Sequence, residues 1–218
     1  MLADLDKYTY WEKVDFFFGK VPTDPPFDFY LMSKINYSIS PKNAVHFMIK
    51  LLKSSKMLPL KYRLLNIDQG FWFLMGVDGV TWCLNDDSVP IRSRKECILA
   101  MPTLFKDVFY LDSGRGDDWM MAGHMWWDHF FSYINLDKID CNINGHSADI
   151  LISACDAILI MYNQPYKASK QSALHGLEHL KNALWCIKSE ELKSILSSWI
   201  QKISIAAGIP ETQRSGLS

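Results

Sequence analysis

Two pairs of polar side chains stand at helical spacing. His175 and His179 are four residues apart, and so are His124 and Asp128, with His129 adjoining. Residues four apart share a helix face. If the two helices lie side by side, His124, Asp128, His175 and His179 converge. Imidazole nitrogens and a carboxylate oxygen on facing helices are a donor set for Zn, Fe or Mn, or a pair of groups for acid–base work. Hydrogen bonding is the simpler expectation, because buried polar groups need partners, and His124 with Asp128 is the nearest pair. These four residues are therefore assigned as binding residues, with no metal and no cofactor assigned. The fourth position of the His175 pair is Glu178, so the HExxH arrangement is absent. The phosphate-binding and nucleophile-elbow glycine motifs are absent too. Trp126 and Trp127 complete the binding set. Their side chains leave a helix about 100° apart, so core packing is the simpler expectation, and an aromatic anchor for a partner, with one of them facing a groove, is the sharper one. The paired carboxylates Asp86–Asp87 and Asp117–Asp118 read as helix-end groups.

The elements that must position these residues read as helices. Residues 1–40 hold a short amphipathic helix and a Pro-bearing connection that reads as a packed loop or a short strand. Ser40-Pro41 starts a helix with Val45, Met48, Ile49 and Leu52 on one face, and Pro59 is expected to close it. Residues 60–76 are apolar, with Asp68-Gln69-Gly70 as an expected interruption. The helix after Ser88-Val89-Pro90 contains Pro102, which predicts a kink or a split. Four helices follow, at about 118–134, 147–162, 166–187 and 190–207, before a frayed tail at 208–218.

The helix at 118–134 aligns with the one at 168–187 at an offset of 50, Trp127-Asp128-His129-Phe130 lying over Leu177-Glu178-His179-Leu180. Each has a glycine upstream and an apolar helix after it. The segment Ser172-Ala173-Leu174-His175-Gly176-Leu177-Glu178-His179 resembles helices of HEAT-type repeat proteins, as does Met125-Trp126-Trp127-Asp128 more loosely. Over about residues 90–207 the chain is similar to a bacterial branch of that α-solenoid class. The resemblance implies an all-α fold of stacked antiparallel helical hairpins across 41–207. It also implies a protein partner bound on an extended surface, such as a toxin or effector that the chain neutralises. A metal-dependent enzyme built on the His/Asp cluster is the alternative.

Composition sets the remaining bounds. With 49% hydrophobic residues, the 218-residue chain can bury a core without staples. A net charge of −1 with scattered Lys and Arg argues against a nucleic-acid partner. The run Arg92, Arg94, Lys95 reads as a solvated helix start. Five cysteines without a CxxC pair read as buried free thiols of a reducing compartment, with Cys141 placed on a loop. No basic leader and no long apolar run is visible, so a cytoplasmic protein without membrane contact is expected.

Overall fold

The computed structural model describes residues 2–20, 37–76, 80–112, 121–133, 146–187 and 189–209. Asp117–Asp118 and Cys141 lie outside them, as do most of the 21–40 connection, most of residues 134–146 and the tail beyond 209.

Among the described residues the chain is all-α apart from one two-residue strand pair. β1 (Ala3–Asp4) and β2 (Tyr37–Ser38) run parallel, Ala3 opposite Tyr37. α1 (Tyr10–Phe18) begins in a capping box. The Thr9 hydroxyl accepts from Glu12 N, and the Glu12 carboxylate accepts from Thr9 N. Asp6 accepts from Ser40 N and Asn43 Nδ2, tying the N-terminal segment to the start of α2 (Pro41–Lys53). Pro59 closes nothing: α2 ends at Lys53, and Pro59 lies in the first turn of a short α3 (Leu58–Lys61), where its missing N–H is harmless.

Two expected breaks are absent. α4 (Leu64–Met75) runs straight through Asp68-Gln69-Gly70, all buried. Asp68 accepts a hydrogen bond from Ala122 N at 2.8 Å, which satisfies its carboxylate inside the core. A Cβ on Gly70 would stand 2.2 Å from Cδ1 of the fully buried Phe18 ring. Gly70→Ala is therefore expected to lower the melting temperature measured by circular dichroism. Overpacking costs about 1–3 kcal/mol, against a gain of about 1 kcal/mol in helix propensity. α5 (Ile91–Asp107) likewise continues through Pro102 as one helix, and Gln164 Nε2 donates to the Pro102 carbonyl at 2.8 Å. At the start of α5 the basic run is solvated at Arg92 but not at Arg94. Arg94 is buried and pairs with Asp87, and Lys95 pairs with Asp149.

The rest of the fold is α6 (Met121–His124), α7 (Trp126–Tyr133), α8 (His146–Tyr162), α9 (Lys167–Cys186) and α10 (Glu190–Ala206). Ser189 caps α10, and Gly208, at φ 66°, ends it in the left-handed conformation. α5 is central, with α2 on one side and α8 on the other. α8, α9 and α10 pack on one another, while α6 and α7 lie on α9 and touch α4.

The thiols of Cys83, Cys97 and Cys155 are free and buried. Burial pushes Cys83 and Cys97 up to about 12, which makes them poor nucleophiles. Among the described residues no helix is long and apolar enough to cross a membrane.

Candidate metal centre

The face of α9 that turns inward is set by small residues as much as by leucines. Ser169, Ser172, Ala173, Gly176, Leu177 and Leu180 are buried, whereas Leu174 is exposed. Small residues lead this face, so α9 closes tightly on its neighbours. A Cβ on Gly176 would lie 2.9 Å from Cγ and Cδ1 of Trp127 and 2.9 Å from Cδ1 of Ile158. The Ser172 hydroxyl donates to the Gly123 carbonyl at 3.0 Å and fixes the height of α9 against α6. With that face buried, His175 and His179 sit on its flank and meet α7.

There they converge on Asp128. His175 Nε2 lies 2.6 Å from Asp128 Oδ2, and His179 Nε2 lies 3.1 Å from Asp128 Oδ1. The two Nε2 atoms are 3.4 Å apart. A carboxylate only accepts, so each Nε2 donates to it, and the two imidazoles then set donor against donor. A cation among the three groups resolves that conflict by taking a lone pair from each. The 3.1 and 3.4 Å separations suit one, and the 2.6 Å separation of His175 Nε2 and Asp128 Oδ2 would have to open to admit it. Ligands about 2.1 Å from a metal stand about 3.0 Å apart when octahedral and about 3.4 Å apart when tetrahedral. The side chains of Asp128, His175 and His179 are 30%, 29% and 26% exposed, so the cluster opens to solvent on one side.

Burial pushes the Asp128 carboxyl up. The hydrogen bond and charge of His175, followed by those of His179, outweigh this and hold it below its ordinary 3.8. A depressed folded-state value means a contribution to stability that is present above the ordinary carboxyl range. It is lost as pH falls through the lowered value. The stability difference between wild type and Asp128→Asn, measured by urea unfolding, is therefore expected to shrink between about pH 5 and pH 2.

The ring of His124 lies against that of His175, with ring centroids 5.0 Å apart and planes 18° apart. His129 points away and meets Trp72 edge-on, and burial pushes its imidazole down against the pull of Asp128. Trp126 and Trp127 are both core residues, and neither faces a groove. Trp126 is packed among Phe71, Phe105 and Phe109, and its indole N–H points at Met101 Sδ, 3.2 Å away. Trp127 is fully buried against Phe130, Phe131 and Gly176. A helix that is apolar on two sides is covered on both, here by the α4–α5 layer and by α9.

Three contributors escaped the sequence reading. Phe131 stacks on His179 at 5.5 Å and 14°, and its position three residues after Asp128 was the available signal. Gly176 and Asp68 act through packing and leave no motif. Comparison with protein-family models, curated proteins and solved structures finds no match, and the geometry alone carries the reading of the site.

Proposed function

We propose that this protein binds one divalent transition-metal ion through Asp128, His175 and His179. The ion's solvent side would serve Lewis-acid chemistry, polarising a bound oxygen or activating water. The observation that carries the reading is the meeting of the three ligand atoms, all within 4.8 Å of one another, from two separate helices. Two histidines and one carboxylate leave coordination positions for water or substrate, the arrangement of catalytic Zn and non-haem Fe sites. Protein stripped with chelator and titrated with Zn(II) or Co(II) is expected to bind one equivalent with micromolar or tighter affinity. No binding at that level by either ion overturns the proposal.

A second reading rests on Trp185, which is 81% exposed at the end of α9. Tryptophans dominate binding hot spots. In this reading the chain is an α-solenoid scaffold of a bacterial cytoplasm, and a toxin or effector protein docks on Trp185. The packing of α8, α9 and α10 on one another supports an array, and the buried free thiols suit a reducing compartment. The two readings separate cleanly: Trp185→Ala would release a stoichiometric partner and keep the ion, and His175→Ala would do the reverse.

A further inference from the structure

A histidine that ligates a metal is ordinarily oriented from its second ring nitrogen, by a hydrogen bond to a carbonyl or carboxylate. Here every hydrogen bond that His175 and His179 make among the described residues goes through Nε2. Something else must set the planes of the rings, and aromatic faces do. His124 lies parallel to His175 at 5.0 Å and 18°. Phe131 lies parallel to His179 at 5.5 Å and 14°. The two imidazoles themselves stand nearly perpendicular, at 85°. His124 closes α6, and Asp128 and Phe131 stand three residues apart on one face of α7. The carboxylate and a flat plate for each imidazole thus come from α6 and α7 together.

We infer that His124 is a positioning residue of this centre. Its ring sets the plane of His175 so that Nε2 faces the ion, as Phe131 does for His179. The inference rests on the metal-binding reading. It assigns His124 the role of a plate and not of a fourth ligand, so an aromatic ring without nitrogen should replace it.

The test compares His124→Phe and His124→Ala with wild type in Co(II) titrations followed by visible absorption. Long-range nitrogen-15 NMR on the metal-free proteins reports the tautomer of His175. His124→Phe is expected to bind Co(II) within about threefold of wild type and to give the same spectrum. His124→Ala is expected to bind about tenfold more weakly. In the metal-free proteins His175 should hold the Nε2–H tautomer in wild type and His124→Phe, and a mixture in His124→Ala. If His124→Phe binds as weakly as His124→Ala, the nitrogen matters and the plate is wrong. Wild-type affinity and tautomer in His124→Ala overturn it equally. If wild type binds no Co(II), the metal reading falls, and the NMR arm still decides whether His124 orients His175.

Discussion

Replacing either His175 or His179 with alanine is expected to weaken Zn(II) binding by at least about a hundredfold, while the melting temperature barely moves. Both parts follow from where the residues sit. In the proposed centre each would supply one of three ligand atoms, and in both it is Nε2 that meets Asp128. Loss of an orienting partner around a metal already costs about ten- to a hundredfold, so loss of a ligand costs more. Both side chains are more than a quarter exposed, on the flank of α9. Alanine is the best helix former, and nothing large is emptied from the core. Isothermal titration with Zn(II), beside thermal unfolding without metal, reads both quantities. Wild-type affinity in either variant would remove that residue from the centre. A large fall in stability would make the histidines packing residues first.

Gly176→Ala is expected to damage the same centre without touching a ligand. The added methyl would stand 2.9 Å from Cγ and Cδ1 of Trp127. Ile158 is met only at the tip of its side chain, which can swing aside, but the Trp127 ring is fully buried and cannot. Relief comes from α9 moving off α7, and that motion separates His175 and His179 from Asp128. Overpacking of about 1–3 kcal/mol is offset in part by about 1 kcal/mol of helix propensity. A net loss of up to about 2 kcal/mol in urea unfolding is expected, with Zn(II) affinity falling by about tenfold or more. Unchanged affinity would show that the approach of α9 to α7 does not set the ligand geometry.

How much of this was legible in the sequence differs from element to element. The i, i+4 pairs were plain, because helix spacing alone puts His175 with His179 and His124 with Asp128. Which pair would bond was not, because it depends on how α9 rolls against α7. That roll is set by the small residues Ser169, Ser172, Ala173 and Gly176, which are buried while Leu174 is exposed. The all-α class was legible from caps and spacing. The expected breaks in α4 and α5 failed for a common reason: tertiary contacts overrode local preference. Asp68 is satisfied by Ala122 N, Gly70 makes room for Phe18, and Pro102 keeps its helix while its carbonyl accepts from Gln164. Burial of both tryptophans needs a helix covered on two sides, because neighbouring residues point about 100° apart, and α7 is covered by the α4–α5 layer and by α9.

The halves of the centre are 47 and 51 residues apart along the chain. α8 comes between them and packs chiefly on α5 and α9. Closing so long a loop costs entropy before any contact at its ends repays it. The Asp128–His175–His179 cluster is therefore expected to complete only once α8 and α9 have docked, which would leave an ion no cluster to grip in an early transition state. Its stabilisation would then fall on the escape side of the barrier. An ion held there would prolong the lifetime of the folded chain and leave the rate of its formation alone.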